Sequence, residues 1–192
     1  IGDTIHYIDA QTSTELTTVR LQHDFDDYGV VAISPDFQYL VNTLPSSVRV
    51  WDAQTGEQLW AQTDFHERSS RIFSEDSRLL AIGCENQNVF IMDSATGHHL
   101  QELQGEVHDF GEDGIRQIDL SSESEIIVTL STNEIIVWDF NTGMEIGSMK
   151  EHSLTQSVAA VSPDGKLIAA GYGSEVVRVW ELESGKLLWE KE

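Results

Sequence analysis

Short apolar runs separated by turn-forming residues follow one another along the whole chain. Between residues 71 and 104 the runs are RIFS, LLAIG, NVFIMD and HHLQELQ, four to seven residues each, with S-E-D and T-G in the breaks. Runs of this length that are rich in β-branched and aromatic residues are typical of strands. Pro, Gly and Asp in the breaks favour tight turns. The pattern predicts an antiparallel meander of four strands and shows no helical periodicity.

This unit repeats with a nearly constant period. The acidic residues that follow the third run of each unit are spaced by 43, 41, 46 and 42 residues: Asp9, Asp52, Asp93, Asp139 and Glu181. The serines that follow the first run are spaced by 40, 47 and 41 residues: Ser34, Ser74, Ser121 and Ser162. A repeated four-stranded unit of about 40–45 residues has the size of one propeller blade. The sequence therefore predicts an all-β chain, a β-propeller of four-stranded antiparallel blades.

The repeats resemble those of the WD40-repeat family of β-propellers over essentially the whole chain. The resemblance is carried by Trp51-Asp52 and Trp138-Asp139, by the related pairs Met92-Asp93 and Trp180-Glu181, and by the Thr-Gly or Ser-Gly turns that follow them. It implies about four and a half blades: a half-blade at 1–22 and blades at about 23–64, 65–106, 107–150 and 151–192. The structural anchors that it implies are Asp9, Trp51, Asp52, Asp93, Trp138, Asp139, Trp180 and Glu181.

The sequence departs from the family at the buried polar tetrad. The family often has a Gly-His pair before each inner strand, together with a Ser or Thr and an Asp that bond with the Trp. Here no histidine near the expected place follows a glycine, and the segments 43–47, 131–134 and 172–175 do not supply the usual pair of a Ser or Thr with an Asp. We therefore expect the tetrad to be absent or improvised, and the blades to be held mainly by apolar packing.

The family's strand order gives residues 1–22 only the two outer strands of a blade. We expect an open sector with an exposed apolar blade face. Two explanations stay open: the chain is a segment of a longer propeller of about seven blades, or another chain completes the ring.

The charge balance bears on the partners. The chain has 33 acidic and 11 basic residues, a formal net charge of −22. Such a surface repels nucleic-acid phosphates and anionic lipid heads, so a partner steered by charge is expected to be a basic protein surface. No apolar stretch is long enough for a membrane span. The single cysteine, Cys84, fits a reducing compartment, so we expect a cytoplasmic location, with the nucleus as an alternative.

No motif predicts catalysis or a cofactor. The phrase from Asp52 to Trp60 is also similar to the tryptophan-docking motif of quinoprotein propellers, echoed at Trp189, which implies that Trp60 and Trp189 pack neighbouring blades. The acidic stretch after His23 fails the calcium-loop template, because the twelfth residue from Asp24 is Pro35. No zinc-ligand spacing and no G-x-S-x-G nucleophile motif occur. We expect no enzyme, no cofactor and no metal; a quinoprotein-like propeller enzyme is the catalytic alternative.

The loops that join successive blades are the candidate partner-binding sites. In the family's topology the loops 22–28, 62–70, 103–114 and 150–156 share one face, and loops on a rigid scaffold commonly carry binding. Their carboxylates and neighbouring groups form the candidate set: Asp24, Asp26, Asp27, Asp64, Glu67, Arg68, Glu106, Asp109, Phe110, Glu112, Asp113 and Glu151. The longest loop, 103–114, is the leading candidate. The alternative is a solvated surface, since acidic residues also occupy other turns.

The most specific function that the sequence supports is a non-catalytic scaffold for protein–protein interactions, or a sensor or assembly module of a larger WD-repeat protein. A structural subunit of a stable multiprotein complex is the main alternative.

Overall fold

The computed structural model describes most of the chain as a succession of β-strands. The described residues are 4–8, 11–20, 30–44, 47–63, 70–84, 88–104, 114–121, 123–131, 134–150, 158–171 and 176–192. In these ranges no helix is long and apolar enough to cross a bilayer.

The strands form five sheets, numbered here in chain order. Sheet 1 contains β1 (Thr4–Ile8) and β2 (Glu15–Arg20). Sheet 2 contains β3 (Val30–Ile33), β4 (Tyr39–Leu44), β5 (Ser47–Asp52) and β6 (Gln58–Thr63). Sheet 3 contains β7 (Ser70–Phe73), β8 (Leu79–Gly83), β9 (Val89–Asp93) and β10 (His99–Leu103). Sheet 4 contains β11 (Gln117–Ser121), β12 (Ile126–Leu130), β13 (Glu134–Asp139) and β14 (Glu145–Lys150). Sheet 5 contains β15 (Val158–Val161), β16 (Leu167–Gly171), β17 (Val177–Glu181) and β18 (Lys186–Lys191).

Each strand pairs antiparallel with its neighbour in the sequence, so every sheet is a simple meander. Sheets 2 to 5 have four strands each, and sheet 1 has two described strands. The predicted all-β class with four-stranded antiparallel sheets is therefore confirmed. Alternation of side chains along a strand gives each sheet two faces. We call the face that points toward the next sheet in the chain the leading face, and the opposite one the trailing face.

The recurring serines build the turn between the first and second strands. In sheet 2 the Ser34 hydroxyl donates to Asp36 Oδ1 (2.6 Å) and accepts from the Tyr39 N–H (2.9 Å). The Ser–Asp hydrogen bond recurs in sheets 3 and 5, as Ser74–Asp76 and Ser162–Asp164. Side-chain hydrogen bonds of this type favour turns over continued strand.

The acidic anchors close the turn between the third and fourth strands. Asp52 Oδ1 accepts from the N–H groups of Gln54 (2.8 Å) and Thr55 (2.7 Å), and Gly56, at φ +73°, donates to the Asp52 carbonyl (2.9 Å). The left-handed conformation is easy for glycine and unfavourable for most other residues. The same arrangement recurs at Asp93 with Gly97 and at Asp139 with Gly143. The anchors therefore fix the turns.

The hydrophobic core lies between successive sheets. On the leading face of sheet 2, Val48 and Val50 pack with Leu80, Ile82 and Met92 on the trailing face of sheet 3. Equivalent clusters join sheet 3 to sheet 4 and sheet 4 to sheet 5. Sheet 1 packs against sheet 2 through Val19, Ile5 and Tyr7. These clusters agree with the expectation that apolar packing between the blades holds the structure together.

Side chains from one first strand also bond the backbone of the next. The Gln117 amide accepts from the Ala159 N–H (3.0 Å) and donates to the Ala159 carbonyl (2.9 Å). Asp119 Oδ2 accepts from the Val161 N–H (2.7 Å), and Ser70 Oγ accepts from the Ile118 N–H (3.1 Å). These bonds satisfy main-chain groups of β15 and β11 that would otherwise lie on an unpaired strand edge.

A reduced form of the family's polar network occurs in sheet 4. The buried Trp138 indole donates from Nε1 to the Thr129 hydroxyl (3.0 Å). The hydroxyl comes from strand β12, so a search of the segment 131–134 alone misses it. The residues at the same register position in sheets 3 and 5, Ile82 and Ala170, have no hydroxyl. Among the described residues, sheet 4 thus has an improvised form of the network, which agrees with the expectation for this sheet.

The turn bonds make stability depend on pH in a predictable direction. The Thr142 N–H and hydroxyl bind the Asp139 carboxylate and lower its pKa. A lowered pKa in the folded state adds stability that is present above the unfolded value, about 3.9, and is lost as the pH falls through the folded value. We expect Asp139→Asn to be less stable than the wild type at pH 7, with the difference closing as the pH falls below the unfolded value and through the lowered folded value.

Urea unfolding followed by tryptophan fluorescence at several pH values measures this difference. Glu123→Gln, at an exposed turn position, controls for the loss of one charge. A difference for Asp139→Asn that stays constant with pH would contradict the prediction.

Candidate functional site

We call the contact between two successive sheets a junction. Side chains of one sheet donate hydrogen bonds across the junction to one particular carbonyl of the next sheet. We call the carbonyl of the residue directly after each acidic anchor the anchor carbonyl. At the first junction the Tyr7 hydroxyl donates to the anchor carbonyl of Ala53 (2.8 Å). At the second junction Trp60 donates from Nε1 to the anchor carbonyl of Ser94 (2.8 Å). Burial and the nearby Asp52 charge raise the pKa of Tyr7, so its phenol stays a donor at neutral pH.

The third junction uses an amide for the same purpose. With its amide oriented so that both ends are satisfied, Gln101 donates to the anchor carbonyl of Phe140 (2.7 Å) and accepts from the Gly143 N–H (2.7 Å). Trp60 and Gln101 occupy the same register position, since Trp60 lies opposite Val50 and Gln101 lies opposite Ile91. We call the side chain at this position of the fourth strand the docking side chain.

The turn glycines make room for the docking side chains. A Cβ added to Gly97 would lie 2.6 Å from Cδ2 of Trp60, and a Cβ added to Gly143 would lie closer still to the Gln101 amide oxygen that accepts from the Gly143 N–H. Both distances are too short for real contacts. Glycine therefore meets two requirements at these positions: it adopts the left-handed conformation of the turn, and it leaves room for the side chain of the neighbouring sheet. The predicted role of Trp60 in packing neighbouring blades is supported by this contact.

The leading face of sheet 5 repeats these elements and lies open to solvent. Trp189 faces Val179 in the register that Trp60 has with Val50, and it is 48% exposed. On the same face Val177 is 41% and Val158 62% exposed. In sheet 2 the position of Val177 is held by Val48, which is fully buried, as is Val50. The open face is thus an uncovered copy of the surface that binds the next sheet at the other junctions.

A pocket of about 270 Å³ opens at the edge of the junction between sheets 2 and 3. It is lined by Gln38, Tyr39, Asp52, Gln54, Leu59 and Ala95. Hydrogen bonds from the turn, first from Thr55 N–H, lower the pKa of Asp52. Burial and then the neighbouring aspartates raise the pKa of Tyr39. A carboxylate engaged by its own turn and a protonated phenol are not a nucleophile and base pair. The pocket offers polar contacts to a bound side chain.

The described ranges offer no cluster of metal ligands. They contain no group of three or more His, Cys, Asp or Glu residues placed to hold a metal ion.

The loop residues predicted to bind a partner lie outside the described part of the chain. This applies to all twelve of them: Asp24, Asp26, Asp27, Asp64, Glu67, Arg68, Glu106, Asp109, Phe110, Glu112, Asp113 and Glu151. Their role stays a prediction. Of the structural anchors, Asp9 also lies outside the described residues.

The other predicted anchors have clear structural roles. Trp51, Trp138 and Trp180 are buried between sheets. Asp52, Asp93 and Asp139 hold their turns, and Glu181 accepts from the Ser184 hydroxyl in the last one. Sequence reasoning missed Tyr7 and Gln101. Gln101 lies eight residues after its anchor, as Trp60 does, so counting from the anchors would have found it.

Comparisons with known proteins agree with the repeat structure. The WD40 family, described as "WD domain, G-beta repeat", matches residues 143–181. The chain is 26% identical over 161 residues to Serine-threonine kinase receptor-associated protein of Gallus gallus, covering 82% of this chain and 44% of that protein. It is 27% identical over 165 residues to Protein groucho of Drosophila melanogaster, covering 82% of this chain and 22% of that protein.

A solved structure has the same fold. A chain in the crystal structure of the mitotic checkpoint complex aligns with a TM-score of 0.68 at 22% identity, covering 84% of this chain and 48% of that chain. The chain therefore spans less than half the length of each of these three proteins.

The paired tryptophans provide a direct test of sheet docking. Trp60→Ala removes a half-buried indole and its bond to Ser94, so we expect a loss of about 2–3 kcal/mol in the free energy of unfolding. Trp189→Ala removes the equivalent indole from a face with no sheet against it, so we expect a loss below about 1 kcal/mol. Urea unfolding monitored by circular dichroism measures both, and each variant is the matched control for the other. Equal losses would contradict the account.

Proposed function

We propose that this chain, which matches the WD40 family over residues 143–181 and has the fold of a solved WD-repeat neighbour, is a non-catalytic scaffold for protein–protein interactions. Its more specific role is a sensor or assembly module of a larger WD-repeat protein. The observation that carries the proposal is the open leading face of sheet 5, where Trp189, Val177 and Val158 are exposed, although Val48, the equivalent of Val177 in sheet 2, is fully buried. Contiguous exposed apolar surface of this kind marks sites of protein association.

The chemistry of this face favours a protein occupant. At the junction of sheets 2 and 3, the equivalent face binds a β-sheet through valines and one indole N–H to a carbonyl. A sheet with a matching apolar face and a free anchor carbonyl would satisfy the same groups around Trp189. The names of similar proteins are consistent with this role, since one is called receptor-associated and another belongs to a checkpoint complex.

The occupant that fits the face best is a further blade. In sheet 1 the residue at the position of Gly97 is Ser13, which has φ +55° and carries a side chain. A Cβ at Gly97 would clash with Trp60. If sheet 1 of a second copy docked on the open face, the Cβ of its Ser13 would meet Trp189 in the same way. Sheet 1 of a second copy is therefore a poor partner for Trp189. We propose instead that the rest of a longer propeller, or another chain, covers sheet 5.

A basic partner on the acidic loops is the second part of the proposal. The net charge of −22 supports attraction of a positively charged surface. A cytoplasmic location, with the nucleus as the alternative, is proposed alongside it; a single cysteine, Cys84, which is buried and forms no disulfide, is consistent with a reducing compartment.

Site-specific photo-crosslinking tests the open face. A benzophenone amino acid replaces Trp189 in the natural full-length protein inside its own cells. A protein surface within contact distance would give a covalent adduct at position 189. The same replacement at Leu188, which points to the other side of β18, is the matched control and is expected to give far less adduct.

The identity of the adduct separates the two occupants. A crosslink within the same polypeptide supports a longer propeller, and a crosslink to a different chain supports a structural subunit of a complex. Equal, background labelling at positions 188 and 189 would contradict the proposal that a protein covers this face.

Charge reversal tests the acidic loop 103–114. The variant changes Glu106, Asp109, Glu112 and Asp113 to Lys. The control changes four exposed carboxylates of the turns to Lys: Glu57, Glu75, Glu123 and Glu183. Both variants have the same net charge. Titration with a fluorescein-labelled Lys- and Arg-rich peptide is expected to show binding at least about tenfold weaker for the loop variant and within about threefold of wild type for the control. Equal weakening would show that only net charge matters.

A further inference from the structure

Sheet 4 lacks a docking side chain. The position held by Trp60 in sheet 2 and Gln101 in sheet 3 is Gly147 in sheet 4, directly opposite Val137. Glycine has no side chain to donate to the anchor carbonyl of sheet 5, which belongs to Leu182. The junction between sheets 4 and 5 therefore has the carbonyl and turn of the other junctions without their docking group.

The space for that side chain is open. A Cβ added to Gly147 meets nothing within 4 Å, and neither does a Cβ added to Gly185 in the facing turn. At the two preceding junctions the turn glycines are in close contact with Trp60 and Gln101. Elsewhere in this junction sheets 4 and 5 are packed together, with Ile135 and Val137 against Ile168 and Trp180. We call the open space between Gly147 and Gly185 the Gly147 notch.

The chain itself indicates what fits the notch. Gly185 has φ +64°, close to the +68° of Gly97, so both glycines have the left-handed conformation. At Gly97 the group that fills this space is an indole that donates its N–H to the anchor carbonyl at 2.8 Å. An indole entering the Gly147 notch would find a glycine of the same conformation and, by the same register, the Leu182 carbonyl.

The charges around the notch favour a basic ligand. Glu145 on β14 and Glu181 and Glu183 on the turn are exposed, and the cations beside them are Lys186 on β18 and Lys166, whose carbonyl accepts from the Leu182 N–H. The three carboxylates outnumber these two cations, so a segment with Lys or Arg beside its tryptophan has complementary charge. Met149, on the same face of β14 as Gly147, and Leu182 pack against the apolar core of this junction, so apolar side chains lie beside the notch.

We propose that the Gly147 notch binds the tryptophan side chain of a basic segment of a partner protein. The inference rests on the proposed role of the chain as a protein-binding scaffold. It concerns a surface between two sheets that are both present, and so it does not depend on what covers the open face of sheet 5.

Nuclear magnetic resonance of the ¹⁵N-glycine-labelled chain tests the notch directly. The probe is the peptide acetyl-Lys-Trp-Lys-amide, and the control probe has Ala in place of Trp. We expect saturable shifts of the Gly147 and Gly185 amide signals, with a dissociation constant of roughly millimolar for so small a ligand. The Ala peptide is expected to bind at least about tenfold more weakly.

Filling the notch gives the matching variant. Gly147→Trp supplies the indole from within the chain, and Gly147→Gln supplies the side chain that sheet 3 uses, in case the larger residue perturbs the fold. Both are expected to weaken peptide binding at least about tenfold while raising the urea midpoint of unfolding, so that lost binding is separated from lost structure.

Two results would overturn the proposal. If the Ala peptide binds as well as the Trp peptide, or the filled variants bind like wild type, the attraction is charge alone and the notch is no site; the scaffold function would stand. If the wild type self-associates and Gly147→Trp abolishes this, the occupant is a second copy of the chain.

Discussion

The whole structure depends on the docking of each sheet on the next. A single four-stranded sheet of this chain has two apolar faces and cannot bury either one alone. Each junction buries the leading face of one sheet on the trailing face of its neighbour, and a polar side chain then bonds the anchor carbonyl at three of them. The turns that present these carbonyls are held by the acidic anchors. Turn chemistry and sheet packing therefore act on the same few residues of each repeat.

The same dependence explains where the chain can bind other proteins. Some surfaces are covered at one junction and uncovered at another. An uncovered one is a candidate binding surface, and the side chains that cover its equivalent show which chemical groups would bind there. The open face around Trp189 and the Gly147 notch are two such places in the described residues. The first requires a sheet, because its exposed groups span the strands of sheet 5. The second accommodates one side chain.

The sequence predicted the sheets well because each strand is short, apolar and bounded by turn residues at a constant period. It also predicted the docking of Trp60, through the resemblance to a known docking motif. It did not reveal Tyr7 or Gln101, because a phenol, an indole and an amide serve one purpose and share no residue type; Tyr7 even comes from a different strand of its sheet. Thr129 was missed for a related reason, since its hydroxyl reaches Trp138 from a strand position. The acidic loop residues stay predictions, because periodicity fixes strands and turns but carries no information on the conformation of long connecting loops.

Native-state hydrogen exchange, resolved strand by strand, tests the central claim most directly. If docking supplies the stability of each sheet, backbone amides in sheets 3 and 4, which are covered on both faces, will be the most protected. Those in sheet 5, whose leading face is open, will exchange markedly faster. Equal protection of sheets 3 and 5 would show that each sheet is stable by itself and would contradict the account.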